Sequence, residues 1–331
     1  MIKPSRGPNM GAPSRSVRNG LDDVDRTLIE RLRTDGRASN RSLAVALGVN
    51  EATVSSRLRR LEEDRVVRVV AVTDMEALGH EFLAFAKVQV SGRTVGEVGA
   101  QLAEMPENIG VVVTVGASDL ILSVLARDRH HLSKLLTDAI PAVEGVSRVR
   151  CELALDVLLF RSEWATFGSE DRPVEPRGES GQVDSLDLRI IDLLQEDARS
   201  SNRRVAAQLG VSEGTVRARI KRLEDDRVIR IQAISDTTAF NLSASAYVGV
   251  QVEGGKVDSV ASALVGFDEA AAVVRSLGDY DLWVVLMASS REALIDLVLN
   301  RIATLPGVKR TETTESCGVI KHSYTWARLV S

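Results

Sequence analysis

The sequence predicts an α+β fold of four domains, and three observations predict it. A repeat with an offset of 162 residues fills the chain, so that residues 48–68 (GVNEATVSSRLRRLEEDRVVR) return as residues 210–230 (GVSEGTVRARIKRLEDDRVIR). The early part of each copy has apolar residues at helical spacing, and the later part has apolar residues at alternate positions. Each copy therefore consists of a helical domain followed by a domain of strands and helices.

The repeat is a duplication of one long module. Over residues 25–68 against 187–230, 23 of 44 positions are identical and no gap is needed. Because the unit of a solenoid has about 20–50 residues, the longer period indicates two complete modules. Between the copies, residues 169–185 (SEDRPVEPRGESGQVDS) are rich in Pro, Gly, Ser and charge, which is typical of an exposed linker.

The helical part of each copy predicts three helices. Val24, Leu28 and Leu32 lie one turn apart and indicate the first helix. After a second, shorter helix, Gly48 makes a turn and Asn50 is placed to cap the third helix. The second copy repeats this pattern 162 residues later.

The later part of each copy predicts a sandwich of strands and helices. In residues 84–90 (AFAKVQV), a period of two places Ala86, Val88 and Val90 on one face and Lys87 and Gln89 on the other, and residues 246–252 (AYVGVQV) repeat the pattern. Helical segments near 95–105 and 131–140 are interleaved with apolar strands near 109–115, 120–127 and 146–156. This order is that of a ferredoxin-like unit. The full prediction is two winged helix-turn-helix domains alternating with two ferredoxin-like βαββαβ sandwich domains.

The predicted organisation has six segments. They are a disordered basic arm, a helix-turn-helix domain, an α/β domain for ligand sensing and dimerisation, a linker, a second helix-turn-helix domain and a second α/β domain. Their predicted bounds are 1–21, 22–72, 80–164, 165–183, 184–234 and 242–328.

Composition excludes several classes of protein. With 44% apolar residues the chain can bury cores. Its two cysteines, Cys151 and Cys317, make no disulfide framework and no metal-ligand spacing. The start has no apolar signal region, and Gly116 and Asp119 interrupt the longest apolar stretch. We therefore expect a cytoplasmic protein with no membrane segment, no metal site and no cofactor.

The third helix of each copy has the pattern of a DNA recognition helix. As a helix, residues 51–64 place Val54, Leu58 and Leu61 on one face, which must pack against the other two helices. The opposite side has small residues near the helix start and basic residues one turn later, an arrangement that fits the major groove. The predicted DNA-binding residues are Asn50, Ala52, Thr53, Ser56, Arg57, Arg59, Arg60, Ser212, Gly214, Thr215, Arg217, Arg219, Lys221 and Arg222.

The distribution of charge supports this interpretation. Residues 25–68 contain ten Lys and Arg against seven Asp and Glu, and residues 187–230 contain ten against eight, whereas the whole chain has a net charge of −4. An acidic body repels DNA, so only the basic modules approach it. The alternative is that each basic run is a solvated helix with i,i+4 ion pairs. The three-helix frame shared by both copies favours DNA binding.

Two blocks of each copy, in the same order, match one known family. They are residues 25–64 and 187–226, followed by VTVGASDLILSVLARD with AVEGVSRVR and by VRSLGDYDLWVVLMAS with TLPGVKRTET. Together they resemble the Lrp/AsnC, or feast/famine, family of transcription regulators. The resemblance implies binding to pseudo-palindromic double-stranded DNA. It also implies an amino acid or similar small effector at the interface between α/β domains.

By this resemblance, a Gly-x-x-Asp turn between the two central strands is the ligand-side element. Glycine lets the backbone approach a ligand, and a carboxylate accepts hydrogen bonds from an α-ammonium group. The predicted effector-binding residues are Gly116, Ser118, Asp119, Gly278, Tyr280 and Asp281. The alternative is that both segments are hairpin turns, whose residue preferences they satisfy. Since Asp279 and Tyr280 correspond to Ala117 and Ser118, we expect the two sites to differ.

The resemblance also explains the repeat. Members of the family carry one copy and assemble as dimers, so this chain is predicted to be an intrachain pseudo-dimer that joins other chains in a homo-oligomer. Its two recognition helices must lie about 34 Å apart to read successive major grooves. Ser55 and Ser56 correspond to Arg217 and Ala218, which predicts unequal half-sites.

Two other interpretations stay open. Siroheme decarboxylases share this architecture and would need His and Arg in the sheet region. The four histidines are His80, His130, His131 and His322, and all lie outside the central strand pairs at 109–127 and 271–288. They are predicted to lie at the surface, so no catalytic residue is predicted. The other interpretation is a sensor that has lost DNA binding. The basic third helices argue against it, because a protein-binding helix would expose an apolar stripe.

Overall fold

The computed structural model describes residues 20–167 and 183–329, and within them the two copies have the same order of elements. Residues 1–19 of the predicted basic arm and residues 168–182 of the predicted linker lie outside the described residues. Each copy has three helices followed by a strand, then the order strand–helix–strand–strand–helix–strand, and finally a two-residue strand. The predicted α+β fold class is confirmed.

The elements of the first copy are α1 (Asp23–Thr34), α2 (Asn40–Leu47), α3 (Glu51–Glu63), β1 (Val67–Asp74), β2 (Phe82–Val90), α4 (Val95–Ala103), β3 (Asn108–Val115), β4 (Leu120–Ala126), α5 (Arg129–Lys134) with a π-helical continuation (Leu135–Ala139), β5 (Val146–Phe160) and β6 (Trp164–Ala165).

The elements of the second copy are α6 (Ser185–Glu196), α7 (Asn202–Leu209), α8 (Glu213–Asp225), β7 (Ile229–Asp236), a 3-10 turn (Thr238–Phe240), β8 (Ala244–Val252), α9 (Val257–Val265), β9 (Ala270–Leu277), β10 (Leu282–Ala288), α10 (Arg291–Asp296) with a π-helical continuation (Leu297–Ile302), β11 (Val308–His322) and β12 (Trp326–Ala327).

The three helices of each copy form a compact reading head, α1–α3 in the first copy and α6–α8 in the second. Helix α1 begins at a capping box in which the Asp22 carboxylate accepts from the Asp25 N–H at 2.8 Å. Helix α2 ends at Gly48, whose φ of 66° favours glycine. The predicted inward face of α3 is buried, since Val54 and Leu61 are at most 2% exposed. Packing of these apolar faces supplies most of the stability of such short helices.

The two copies share a small four-stranded sheet, called here the wing sheet, with the strand order β12-β1-β7-β6. Strands β1 and β7 pair antiparallel in its centre, from Val67 opposite Ser235 to Thr73 opposite Ile229. Strand β12 of the second copy pairs with β1 of the first, and β6 of the first pairs with β7 of the second. Each reading head therefore rests on a sheet to which both copies contribute.

The remaining eight strands close into one barrel with the order β10-β8-β11-β3-β4-β2-β5-β9. The closure depends on β5 and β11, which have 15 residues each. The first half of β5 pairs with β2 of its own copy, and its second half pairs with β9 of the other copy. Strand β11 pairs in the same way with β8 and β3. The two predicted sandwich domains are therefore halves of a single barrel.

Alternation along the strands separates the inside of the barrel from its helix-covered outside. On β2, Ala84, Ala86 and Val88 pack against the helices of the first copy. Phe85 points the other way and meets Tyr247 and Trp283 of the second copy, with ring centroids 6.5 and 6.0 Å apart. The interior is thus an aromatic core shared by both copies.

Reciprocal contacts hold the two reading heads against each other. Arg37 of the first head donates to the Ser200 carbonyl at 2.7 Å and to the Asn202 side chain at 2.9 Å. Arg199 of the second head donates to the Gly36 carbonyl at 2.9 Å and to the Ala38 carbonyl at 3.0 Å. We refer to Arg37, Arg199 and their acceptors as the arginine clasp.

The first head also rests on an aromatic side chain at the edge of the wing sheet. The Arg33 guanidinium lies 4.3 Å from the Trp164 ring and 5.1 Å from the Phe240 ring. At the matching position of the second copy the residue is Gln195, and Trp326 instead stacks on His80 at 4.8 Å. The two heads therefore have the same frame and different docking contacts.

The histidines depart from the predicted surface locations. His130 is exposed, but His80 and His322 are half-buried. Burial lowers the pKa of each of these two imidazoles to about 4. The Thr166 N–H donates to Nδ1 of His322 at 3.4 Å, so the ring joins β11 to the end of the first copy.

Within the described residues, no helix is long and apolar enough to cross a bilayer.

The lowered pKa values of His80 and His322 predict a loss of stability in acid. An unfolded histidine has a pKa near 6.5, so between about pH 6.5 and pH 4 the unfolded chain binds protons that the folded chain excludes. The free energy of unfolding should fall by up to about 1.4 kcal/mol per pH unit for each histidine. His322→Phe, which copies the matching Phe160, should flatten the dependence measured by urea unfolding between pH 7 and pH 4.5. His130→Ala is the control and should leave the slope unchanged. Parallel curves for wild type and His322→Phe would contradict the assignment.

Candidate nucleic-acid interface and effector loops

The recognition helices α3 and α8 begin with side-chain caps. Oδ1 of Asn50 accepts from the Thr53 N–H at 2.8 Å and from its hydroxyl at 3.0 Å. The Ser212 hydroxyl accepts from the Thr215 N–H at 3.0 Å. These four predicted DNA-binding residues therefore also fix where each helix starts, and the positive end of each helix dipole lies beside them.

The outer face of each recognition helix is solvent-exposed. In α3 this face presents Ala52, Ser56 and Arg59, and in α8 the corresponding exposed residues are Gly214, Ala218 and Lys221 together with Arg217. Lys221 pairs with Asp225 at 2.7 Å, but both side chains are mostly exposed. An ion pair of this kind contributes little stability, so the ammonium group is available to an anionic partner.

Four predicted DNA-binding arginines make ion pairs inside their own heads. Arg57 contacts Asp22 at 2.6 Å and Asp25 at 2.8 Å, and Arg60 contacts Asp25 at 2.5 Å. Asp25 is only 2% exposed. The two arginines therefore tie the recognition helix to the first turn of α1.

The second head repeats this arrangement. Arg219 contacts Asp184 at 2.5 Å and Asp187 at 3.0 Å, and Arg222 also pairs with Asp187, which is fully buried. The hydrogen bond from Arg219 lowers the pKa of Asp184 to about 2. The sequence pattern predicts that these arginines lie on the outer or flanking side of the helix, but it does not show their acidic partners, which lie 32 to 35 residues earlier in the chain.

The two Gly-x-x-Asp segments are tight loops, loop 116–119 between β3 and β4 and loop 278–281 between β9 and β10. Oδ2 of Asp119 accepts from the Val90 N–H at 2.8 Å, and Oδ2 of Asp281 accepts from the Val252 N–H at 2.7 Å. Each aspartate thus joins its loop to the end of a neighbouring strand. Ser118 and Tyr280, both predicted effector residues, are buried at 4% and 7% exposure.

A depression of about 360 Å³ lies along loop 278–281. Its wall includes Gln251, Asp279, Asp281 and Lys309. The Lys87 ammonium group lowers the pKa of Asp279, so that this carboxylate is anionic at neutral pH. Carboxylates and an exposed lysine side by side suit a ligand with both an ammonium group and a carboxylate. The corresponding residues beside loop 116–119 are the uncharged Ala117 and Ser147 at the positions of Asp279 and Lys309.

Two residues at loop 278–281 had no sequence signal. In the sequence, Lys87 occupies an ordinary polar position of a strand and is expected to be exposed, yet its side chain is only 6% exposed. Glu152 lies in β5 and is completely buried. Both belong to the first copy but contact the loop of the second, and only the closed barrel brings them together. Within residues 20–167 and 183–329, no group of three or more His, Cys, Asp or Glu side chains is placed to hold a metal ion.

Comparison with known proteins defines the class. The model of the AsnC-type helix-turn-helix domain matches residues 21–62 and 183–224, and the model of the Lrp/AsnC ligand binding domain matches residues 83–163 and 245–326. The chain belongs to the Lrp/AsnC family and carries both domains twice.

Curated relatives correspond to one copy. HTH-type transcriptional regulator FL11 of Pyrococcus furiosus is 32% identical over 142 residues, which cover 43% of this chain and 93% of the relative. The regulator of the same name from Pyrococcus horikoshii is 35% identical over 132 residues, covering 39% of this chain and 87% of the relative. Among solved structures, the siroheme decarboxylase NirDL has a TM-score of 0.65 at 16% identity and covers 91% of this chain and 93% of its own. This last likeness shows the fold alone.

The ion pairs inside the heads predict a structural role for Asp187. Asp187→Asn should lower the free energy of unfolding by about 1–3 kcal/mol, because it leaves Arg222 without its carboxylate and weakens the cap of α6. Glu196→Gln, an exposed change on the same helix, is the control and should stay within about 0.5 kcal/mol. Urea unfolding measures both. If Asp187→Asn were as stable as the control, the ion pairs would have no part in holding α8.

Proposed function

We propose that this chain is a sequence-specific DNA-binding transcription regulator that reads two half-sites with its two reading heads. The observation that carries the proposal is the pair of capped helices with exposed small and basic faces in one chain. Small residues at the helix start admit a helix deep into the major groove, and Arg59 or Lys221 then reaches guanine edges or phosphates. Membership of the family and the likeness to the FL11 regulators support it.

In this proposal the predicted DNA-binding residues have three roles. The exposed residues, together with the neighbouring Ala218, contact DNA directly: Ala52, Ser56, Arg59, Gly214, Arg217 and Lys221. The paired arginines hold the helix against α1 and α6, and their exposed edges contact phosphates: Arg57, Arg60, Arg219 and Arg222. Asn50, Thr53, Ser212 and Thr215 fix where the two helices start, so that the positive end of each helix dipole faces the DNA backbone.

The arginine clasp supports a fixed half-site spacing. Arg37 and Arg199 bind across the junction of the heads through side-chain to backbone hydrogen bonds. Two heads joined this way cannot slide independently along DNA, so a single separation of half-sites, near one helical turn, is expected.

We further propose an amino-acid effector at the Gly-x-x-Asp loops. Loop 278–281 is the stronger candidate, because its depression is bordered by Asp279, Asp281 and Lys309. These groups match the ammonium and carboxylate of a free amino acid. Loop 116–119 keeps Gly116 and Asp119 but has fewer charged neighbours, so a second, different or weaker site is expected there.

The proposal also covers the protein's setting. We infer a cytoplasmic protein without catalytic activity, whose histidines are engaged in packing or lie at the surface. We also infer further assembly into homo-oligomers. Val115 and Leu277, at matching positions beside the two loops, are 65% and 62% exposed and offer apolar surface for such contacts.

Selection of bound sequences from a random pool of DNA duplexes tests the proposal. We expect a two-part motif with half-sites about one helical turn apart. Its affinity should fall steeply with salt, by a slope of about 0.9 per neutralised phosphate on logarithmic axes. Absence of any enriched motif, with and without a panel of amino acids, would overturn the proposal.

The difference between the heads predicts unequal half-sites. Arg217→Ser with Ala218→Ser gives α8 the residues of α3 at these two positions, so the selected half-sites should become more alike. Because the guanidinium of Arg217 is then absent from the groove, discrimination at one base position should relax by about 1–3 kcal/mol. The reverse exchange, Ser55→Arg with Ser56→Ala, is the matched control and should change the other half-site. A wild-type motif with two equivalent halves would refute the assignment.

The effector loops predict a thermal response that depends on one carboxylate. Asp281→Asn keeps an oxygen for the Val252 N–H but removes the negative charge, so it should abolish the rise in Tm that a bound amino acid causes. Asp119→Asn should have a smaller effect, and the exposed change Asp138→Asn should have none. A panel of the twenty amino acids in a thermal unfolding assay measures this. An undiminished shift in Asp281→Asn would exclude loop 278–281.

A further inference from the structure

A buried ammonium group lies at the seam between the two copies. Nζ of Lys87 is 2.6 Å from Oε1 of Glu152 and 2.8 Å from Oδ2 of Asp279. Lys87 and Glu152 are 6% and 0% exposed, whereas Asp279 is 50% exposed. Burial alone would lower the pKa of Lys87, but the hydrogen bonds to the two carboxylates outweigh it and raise that pKa. The group is therefore a cation at neutral pH.

Aromatic rings and a hydrogen-bonded carboxylate form a pocket around this cation. Nζ lies 5.0 Å from the centroid of the Tyr280 ring and 5.6 Å from that of Trp283, within the range of cation–π attraction. The Glu152 carboxylate also accepts from the backbone N–H groups of Asp279 and Tyr280, at 3.2 and 3.4 Å. A side chain at Gly278 would overlap Glu152, so glycine is needed for this approach.

The matching position in the other half of the barrel has none of this chemistry. There Gly249 replaces Lys87, Thr314 replaces Glu152 and Ala117 replaces Asp279. None of these side chains carries a charge. A Cβ on Gly249 would meet the Tyr280 ring, so even the space of a lysine stem is filled. Symmetry of the fold therefore does not require the pocket, and it is a property of one seam.

We propose that the seam holds a binding pocket for a primary ammonium group, made by Glu152, Asp279, Tyr280 and Trp283, and that Lys87 is its tethered occupant. The first copy thereby supplies the ligand that closes a loop of the second copy. Loop 278–281 is fixed before any external molecule binds, whereas loop 116–119 has no such tether. If the loops bind effector as proposed above, the depression beside Asp279 is preformed; the pocket itself does not depend on that function.

Amide hydrogen exchange of the full-length chain without DNA or effector gives the first test. The N–H groups of Asp279 and Tyr280 donate to the buried Glu152 carboxylate, so residues 278–281 should exchange at least about tenfold more slowly than residues 116–119. Equal exchange in the two loops would overturn the proposal.

The sharper test replaces the occupant. Lys87→Ala should lower the Tm by about 5–15 °C, because Glu152 loses the cation that compensates its burial, and should speed exchange in residues 278–281 but not in 116–119. Propylammonium chloride should restore both readouts in a saturable manner. Tetramethylammonium chloride at equal concentration, which has no N–H donors, and propanol are the controls. Lys134→Ala, at an exposed lysine, should respond to none of them. Rescue no better than that by tetramethylammonium would overturn the proposal.

A milder variant covers the case in which Lys87→Ala does not fold. Asp279→Ala introduces the residue of the matching position, Ala117. It keeps Lys87 and Glu152 paired and removes only the half-exposed Asp279 carboxylate from the pocket. It should lower the Tm by less than Lys87→Ala and still speed exchange in residues 278–281 several-fold. Unchanged exchange there would show that the ammonium group does not hold the loop. Neither readout requires DNA or an effector, so failure of this inference and failure of the proposed function are distinguishable.

Discussion

The architecture depends on the division of two long strands between two partners. The first half of β5 completes the sheet of its own copy, and its second half pairs with β9 of the other copy. Strand β11 does the same in reverse. Because both seams form, the barrel has no free edge, and edge strands are where chains aggregate. In the wing sheet the last strand of each copy likewise pairs with the other copy, so the reading heads stand on a sheet that neither copy makes alone.

A fused pseudo-dimer lets one half differ from the other without losing this platform. In a homodimer every substitution occurs twice, at positions related by symmetry. Here Lys87 faces the loop of the second copy while its counterpart is Gly249, and Arg33 packs on Trp164 while its counterpart is Gln195. An odd number of charges can therefore be buried at one seam. The same freedom applies to the recognition helices, where Arg217 stands in place of Ser55.

Much of the fold could be predicted from local signals. Helix starts at Asn50 and Ser212, the turn at Gly48 and the inward face of α3 follow from capping and helical periodicity. The closure of the barrel could not, because the apolar run at residues 157–160 of β5 predicts a strand but does not show that its partner is β9 of the other copy. The acidic partners of Arg57 and Arg60 were also hidden, since a charge run read along one helix does not show which carboxylates another helix brings to it. Lys87 was missed because alternation predicts which face a residue occupies and not whether that face meets solvent.

The exchange of strand ends has a consequence for how the protein is made. Strand β1 is synthesised early, yet its outer neighbour β12 comes almost 260 residues later at Trp326–Ala327. The outer half of β5 likewise waits for β9. A ribosome adds about 5–20 residues per second, so the first copy spends many seconds with unpaired strand edges. During that interval the unpaired strands of the wing sheet and barrel can pair with those of a neighbouring nascent chain on the same mRNA. The covalent connection between the two copies favours the correct pairing once the second copy emerges, because a linked partner is present at high effective concentration.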